Sequence, residues 1–281
     1  MLLSVIIPTY NRRDALYGCL KHLTPELQKL PLDTYEVIVT DDAPVDPNDP
    51  LTRDFPWVRL NHGPQKGPAC NRNSGARAAT GDWIIFLDDD CLPQPQYLTS
   101  YIEAIRKNPE CLVFEGSTLA ERPRVRLDEE APINDKGGYL WSCNFMVQKK
   151  LFWEMGGFCE LYPYACMEDV DFREQLRARK IPFLFAPEAS VIHPWRAMAP
   201  DRKFLKMRLV SHAIFYKRYP QMRPTLNKVF MTIMREWVWN VIMDAPRLKF
   251  RGFWRLISRQ TTITLFVLLN WAGLGGKEPR S

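Results

Sequence analysis

Three apolar runs of strand length, LLSVIIP (2–8), YEVIVT (35–40) and WIIFL (83–87), are separated by segments long enough to hold helices. Their β-branched and aromatic content and their spacing predict βαβ units, and so an α/β fold on a mostly parallel central sheet flanked by helices. Each run ends in polar residues: Thr9, Tyr10 and Asn11 after the first, Asp41 and Asp42 after the second, Asp88, Asp89 and Asp90 after the third. In open α/β sheets ligands bind beyond the carboxyl ends of the strands, so these three clusters outline one site.

Helix-compatible patterns cover 13–30 and 96–107. The stretch MEDVDFREQLRARK (167–180) has acids in its first turn and bases in its last, as a helix dipole favours. LFWEMGGFCE (151–160) ends a helix at Gly156 and Gly157, where a left-handed residue costs little. PFLFAP (182–187) and SVIH (190–193) predict two further strands, DDAPVDPNDP (41–50) a loop, and the charged, Pro-containing segment 118–138 a mobile surface loop. The N-terminal apolar run precedes its charges and carries no basic leader, so it reads as a first strand and not a signal peptide.

With 281 residues, 46% of them hydrophobic, one large domain with an appendage is expected. Charge separates the two. Residues 196–281 hold 17 Lys and Arg against 4 Asp and Glu, a net of +13, and residues 1–195 hold 21 against 28, a net of −7. The division predicted is an α/β domain over 1–200, with halves of about 1–95 and 96–200, followed by a basic, aromatic-rich helical region over 201–281. Seven cysteines without a CxxC pair argue against a disulfide framework or a structural zinc site, and fit a reducing, cytoplasmic compartment.

If the third strand stays extended past Leu87, Asp88 and Asp90 point to one side and Asp89 to the other. Two carboxylates about 4 Å apart repel by about 4 kcal/mol at an effective dielectric near 20, and a divalent cation reverses that penalty. Mn²⁺ and Mg²⁺ suit one or two carboxylates completed by substrate phosphate oxygens.

Taken in order, SVIIPTYNR, VTDDAP, GPQKGPACNRNSGARAATGDWIIFLDDDCLP and the later GGFCE, MEDVDF and His193 resemble the inverting glycosyltransferases of family 2, which have the Rossmann-like GT-A fold. The resemblance covers about residues 3–195. It implies a nucleotide-sugar donor, with UDP the commonest nucleotide, and a hydroxyl on a glycan or lipid-linked acceptor, in cell-surface polysaccharide or glycolipid synthesis. It assigns Pro8, Thr9, Tyr10 and Asp42 to the nucleobase, Arg72 to a nucleotide contact, and Asp88 with Asp90 to the Asp-x-Asp motif that binds ribose and the metal-diphosphate, with Asp89 between them counted among the nucleotide-sugar-binding residues. Where many members read Asp-Asp-Gly-Ser, this chain has Asp41-Asp42-Ala43-Pro44. His193 matches a third ligand for Mn²⁺ or Mg²⁺, and Lys66 and Arg196 are further diphosphate candidates.

Removing the acceptor proton requires a positioned carboxylate. MEDVDF offers Glu168, Asp169 and Asp171; likeness to the family's Glu-Asp motif selects Asp169 as base, with Glu168 orienting acceptor or base. Trp141, Asn144 and Gly157 fall where the family builds its acceptor wall. One base and a metal-assisted leaving group imply single displacement with inversion.

The tail mixes aromatic and apolar residues with Lys and Arg, which suits peripheral binding to an anionic membrane surface on the cytoplasmic side, or packing on a second copy in a homo-oligomer. Its longest uncharged run, Gln260 to Gly276, is marginal for a membrane span. No nucleic-acid-binding motif accompanies the charge. Neither GxGxxG nor GxxxxGK[ST] occurs, which disfavours hydride transfer and P-loop chemistry. A catalytically silent sugar-nucleotide binder is the alternative, and its mark would be loss of the Asp-x-Asp or Glu-Asp pair; both are present.

Overall fold

The structure, a computed structural model, describes residues 1–46, 50–198 and 202–271. Among these, ten strands occur: β1 Leu3–Thr9, β2 Tyr35–Asp41, β3 Val58–His62, β4 Trp83–Leu87, β5 Leu92–Pro93, β6 Val113–Ala120, β7 Glu129–Glu130, β8 Asn144–Gln148, β9 Leu184–His193 and β10 Arg196–Ala197. Eight of them form one sheet in the order β3-β2-β1-β4-β8-β6-β9-β5, and β10 pairs with β7. From β3 to β4 the sheet is parallel, β8 runs antiparallel to both β4 and β6, and β6 is parallel to β9. The carboxyl ends of β1, β2, β4, β6 and β9 therefore lie along one edge, which brings Thr9, Asp41, Asp88 and His193 to the same side of the sheet.

Alternation along the strands divides the core into two layers. Val5, Ile7, Val37, Val39 and Ile85 face helices Arg13–Lys21 and Tyr97–Lys107, which bury Leu16, Cys19 and Leu20, and Tyr97, Leu98 and Tyr101. Ile6, Ile38, Ile84 and Phe86 face the other way, onto helices Pro68–Ala78 and Glu168–Ala178. Burial on both faces explains why these strands read as unbroken apolar runs. In the second layer Phe86, Phe145, Phe152, Phe158 and Phe172 pack ring on ring, with Phe86 and Phe158 centroids 4.8 Å apart. Each fully buried ring contributes on the order of 1.5–3 kcal/mol, which anchors the start of helix Glu168–Ala178 against the end of β4.

The expected elements differ in several places. Strands β3 and β6 were not foreseen: β3 is an edge strand with only Val58 buried, and the buried run of β6 is broken by Glu115, Gly116, Ser117 and Thr118, so neither carries a strong apolar signal. The 13–30 pattern is two helices, Arg13–Lys21 and Pro25–Gln28, the second restarting at a proline that cannot donate within a continuing helix. The two strands expected over 182–193 are one, β9, with a register irregularity opposite Gly116 and Ser117. Segment 118–138, expected as a mobile loop, contains the end of β6, the strand β7 and a bridge from Thr118 to Asn134.

The chain divides into two compact units, Met1–Glu121 with Pro132–Pro194, and Arg122–Ala131 with the chain from Trp195 onward. The first holds the eight-stranded sheet. The second contains helices Arg202–Arg218, Leu226–Val238 and Phe253–Trp271, a π-helical turn Trp239–Asp244, and a small core of Leu127, Met198, Ala245, Leu248 and Leu256. Residues 272–276 of the uncharged run lie outside the described residues; among the described ones no helix is long and apolar enough to cross a membrane.

Candidate active site

Strand β4 stops at Leu87, and the carboxylates that follow form a turn closed by the Cys91 N–H donating to the Asp88 carbonyl at 3.1 Å. Extended geometry does not persist, so the expected pairing of Asp88 with Asp90 on one side is replaced by three separate engagements. Asp88, 24% exposed at its side chain, accepts from Arg72 Nη2 at 2.7 Å. Asp89 does not face away: it is buried and accepts from Thr9 Oγ1 at 2.8 Å and from Arg12 Nη1 at 2.6 Å. Asp90 accepts from Arg12 Nη2 at 2.5 Å, and its other oxygen lies 3.5 Å from His193 Nε2. Burial pushes the Asp89 carboxyl up to about 6, against the pull of Arg12 and Thr9.

Arg72, from helix Pro68–Ala78, is buried and forks between two carboxylates, Asp88 and, at 2.9 Å, Glu168 Oε1. Burial works against its charge, but Asp88 and Glu168 outweigh that and hold its pKa above the usual value. Expected as a nucleotide contact, Arg72 instead uses both terminal nitrogens to fasten the end of β4 to helix Glu168–Ala178. Its helix begins after Gly67, whose φ of 95° places the backbone so close to Pro163 that a Cβ would lie 2.7 Å from that carbonyl oxygen. Asp42 holds this entry by accepting from the Gln65 and Gly67 N–H groups at 2.9 and 3.1 Å.

Helix Glu168–Ala178 is entered through Met167 at φ 79°, a strained conformation for a residue with a side chain. Glu168 is buried against Arg72, and burial, then the neighbouring Asp169, raises its pKa to about 7. Asp169 is half-buried; its Oδ2 accepts from the Ser142 N–H at 3.1 Å and its Oδ1 from the Val170 N–H at 2.7 Å. Burial raises its pKa too, against those backbone donors and Arg72. Asp171 is fully buried and accepts from Tyr162 and Gln175, so it braces the helix and is no candidate base.

Among the described residues, the atoms of Asp90, Cys91 and His193 that could hold a metal lie within 4.8 Å of one another, and Asp88 is not in that group. Of the expected ligands Asp88, Asp90 and His193, the last two lie together in this group, while Asp88 is turned toward Arg72. Cys91 donors suit softer metals, and a hydrogen bond with Cys143, then burial, raises its thiol pKa well above the ordinary value. A carboxylate and an imidazole completed by phosphate oxygens fit Mn²⁺ or Mg²⁺.

A cleft of about 290 Å³ beside this cluster is lined by Thr9, Asn11, Arg12, Arg13, Leu16, Tyr17, Asp41 and Leu51. Of the expected nucleobase residues, Thr9 lines it. Pro8 is half-buried at the end of β1 and Tyr10 is 59% exposed. Asp41, not Asp42, faces the cleft, with one oxygen accepting from the Ala43 N–H at 2.8 Å.

The expected acceptor residues are mostly structural. Asn144 is buried with every hydrogen-bonding position used: Oδ1 accepts from Tyr97 and Tyr101 at 2.9 and 2.8 Å, and Nδ2 donates to the Ser117 and Ala189 carbonyls. It has nothing left for a sugar. Gly157, at φ 71°, lies in a buried turn where a Cβ would sit 2.9 Å from Asn73 Oδ1, so glycine is required by packing. Trp141 is half-buried and stacks on Tyr139 with centroids 4.5 Å apart, next to the Ser142 N–H that holds Asp169. Lys66 is exposed on its loop, and Arg196 belongs to the second unit. Arg12 was missed: nothing local distinguishes it from Arg13, and its partners are 77 and 78 residues away.

The family model "Glycosyl transferase family 2" matches residues 4–156. Curated relatives include a validoxylamine A glucosyltransferase of Streptomyces hygroscopicus subsp. jinggangensis, 25% identical over 89% of this chain and 67% of the relative. Another is a GalNAc(5)-diNAcBac-PP-undecaprenol beta-1,3-glucosyltransferase of Campylobacter jejuni, 35% identical over 62% of this chain and 55% of the relative. The first relatives extend well beyond the match, which takes in 60% of a Haemophilus influenzae glycosyltransferase. Among solved structures, S. aureus TarS 1–349 in complex with UDP-GlcNAc has a TM-score of 0.55 at 18% identity, covering 95% of this chain and 92% of that one. The mannosyltransferase PcManGT of Pyrobaculum calidifontis, in complex with GDP-Man and Mn²⁺, has a TM-score of 0.55 at 19% identity, covering 99% and 76%. At these identities the structural likeness carries the fold, which is of the GT-A type.

Proposed function

Because this chain belongs to glycosyl transferase family 2, we propose that it transfers a sugar, with inversion, from a nucleotide-sugar donor to a hydroxyl of a glycan or lipid-linked acceptor. The observation that carries this reading is the buried bridge in which Arg72 joins Asp88 to Glu168, with the half-buried Asp169 beside it. That bridge couples the donor edge of the sheet to the helix that carries the base.

In this reading the nucleobase enters the cleft between Tyr17, Leu51 and Asp41, whose free carboxylate oxygen accepts from a base N–H. UDP is the preferred nucleotide, in keeping with the UDP-GlcNAc held by TarS. The diphosphate lies over Arg12 and reaches Asp90 and His193, which would hold Mn²⁺ or Mg²⁺ between them. A cation bound there supplies Lewis-acid stabilisation of the charge that develops on the departing β-phosphate. Asp169 takes the acceptor proton through Oδ2, while the Ser142 N–H keeps that oxygen aimed. Its raised pKa makes it a stronger base than an exposed aspartate, as proton abstraction near neutral pH requires. Glu168, fixed by Arg72, sets the position and field of Asp169 and does not touch the reacting atoms. Trp141 and Tyr139 offer a stacked aromatic wall for the acceptor. An intact carboxylate set disfavours the silent-binder alternative.

The division of labour follows the chain: donor binding over about 1–95, acceptor binding over about 96–200, and surface attachment over 201–281. In the second unit Phe230, Met234 and Val238, one helical face at i, i+4 and i+8, are exposed, as are Trp239, Ile242 and Trp254, with exposed Lys228, Arg235, Arg247, Lys249 and Arg255 among them. Aromatic and basic residues exposed together suit the anionic, cytoplasmic face of a membrane that carries a lipid-linked acceptor. One relative is named for an undecaprenol-linked glycan.

A screen of sugar nucleotides by thermal unfolding with Mn²⁺ tests the donor reading. A matching donor at about 100 times its Kd adds about 2.7 kcal/mol, which raises the midpoint by roughly 5–10 °C for a domain of this size. If no nucleotide sugar moves the midpoint, with or without metal, the reading fails.

A further inference from the structure

Arg12 is the half-exposed member of an otherwise buried cluster. Its side chain is 42% exposed, whereas those of Asp89 and Asp90 are 4% exposed, and its two terminal nitrogens bridge the pair at 2.6 and 2.5 Å. The guanidinium therefore covers two buried carboxylates from the solvent side, and its outer edge lines the cleft with Thr9, Asn11, Tyr17 and Asp41. Asp90 meets Arg12 with one oxygen and the His193 ring with the other, so the arginine shares a carboxylate with the candidate metal position.

We infer that Arg12 is an exchangeable counter-ion: in the donor-free protein it neutralises Asp89 and Asp90, and when a nucleoside diphosphate arrives with a cation it passes from the carboxylates to the diphosphate. This rests on the donor reading above and deepens it. Three features support the exchange. The planar fork that fits the carboxylate pair fits a phosphate equally well, by the same two parallel N–H donors. The charge it supplies is needed only until a divalent cation replaces it, because two cations crowded on Asp90 repel each other. Arg12 also has room to move, since it follows the end of β1 and lies against open cleft, unlike the buried Arg72, which is held between Asp88 and the buried Glu168. The consequence is ordered loading: the free protein binds cation weakly, and nucleotide brings cation with it by drawing Arg12 away.

The test is Mn²⁺ binding by electron paramagnetic resonance on the full chain, without nucleotide and with UDP, for wild type, Arg12→Met and Arg12→Lys. The expected result is that Arg12→Met binds Mn²⁺ at least tenfold more tightly than wild type in the absence of UDP, yet binds UDP in the presence of Mn²⁺ at least tenfold more weakly. Arg12→Lys keeps one charge without the fork; it falls between the two and provides the same comparison if Arg12→Met does not fold. Wild type that binds UDP with Mn²⁺, beside variants whose Mn²⁺ affinity without UDP is unchanged, would overturn the counter-ion assignment and leave the donor reading standing. Wild type that binds neither UDP nor Mn²⁺, alone or together, would overturn both.

Discussion

Arg72→Met removes the guanidinium that bridges Asp88 and Glu168 and replaces it with an apolar chain of similar length. Removing one partner of a buried ion pair costs about 3–5 kcal/mol, because the remaining charge is left uncompensated; that is a large part of the 5–15 kcal/mol that holds a typical domain. The cost depends on pH through Glu168. Its folded pKa is pushed up to about 7 from an ordinary 4.5, raised first by burial and held down by Arg72. A carboxyl whose folded pKa is raised stabilises the fold fully below its unfolded pKa, and that contribution is lost as pH rises through the folded value. In wild type the loss runs between about pH 4.5 and 7 and amounts to about 3 kcal/mol. Without Arg72 the Glu168 pKa climbs further, so the decline keeps its limiting slope of about 1.4 kcal/mol per pH unit but extends to higher pH and reaches a larger total. At pH 5, with Glu168 protonated in both proteins, the variant loses about 1–2 kcal/mol; at pH 8 it loses the full 3–5 kcal/mol. Urea unfolding at the two pH values, followed by circular dichroism, measures the difference. Arg72→Lys restores only part of it, since one ammonium does not span two carboxylates as the fork does. A penalty below 1 kcal/mol at pH 8, or one equal at both pH values, would refute the assignment of Arg72 as the clamp on Glu168.

Asn144→Leu strands the Tyr97 and Tyr101 hydroxyls and the Ser117 and Ala189 carbonyls; at about 1–3 kcal/mol for each group left without a partner, urea unfolding should show a loss of several kcal/mol, and loss of acceptor affinity in a stable protein would contradict the structural role. The rate of transfer should fall as pH drops through the raised Asp169 pKa, placing the acid limb of the kcat profile above the ordinary carboxylate range; a limb at pH 4 or below would contradict the burial of the base. Trp239→Ser with Trp254→Ser should lower sedimentation with phosphatidylglycerol vesicles by tenfold or more, with unchanged donor binding; equal sedimentation would remove the exposed aromatics from the membrane surface proposal.

Strands β1, β2 and β4 and the common edge of the site were legible because strands buried on both faces leave uninterrupted apolar runs, and because polar residues stop each run at the ligand side. The half-exposed strand β3 leaves no such mark, and neither does β6, whose buried run is interrupted by Glu115, Gly116, Ser117 and Thr118. What local pattern does not carry is the identity of a polar residue's partner. Asn144 and Arg72 read as contacts for a ligand, yet their partners are protein groups 16 to 96 residues away, which only the packed sheet brings together. The roles of Asp88, Asp89 and Asp90 depended on whether the strand continued past Leu87. It turns instead, and the middle aspartate becomes one of the two that hold Arg12. The placing of Asp41 at the cleft and of Asp42 away from it has a similar reason: the Gln65–Gly67 loop takes both oxygens of Asp42, and no short-range signal announces that loop's position.

The central claim, that Asp169 is the base of an inverting transfer and not a donor ligand, is tested most directly by measuring donor affinity and turnover side by side in Asp169→Asn. Calorimetry with the donor and Mn²⁺ should give a Kd within about twofold of wild type, while single-turnover transfer to the acceptor should fall by about 10²–10⁴. Transfer at the wild-type rate, or a loss of rate fully accounted for by weaker donor binding, would contradict it.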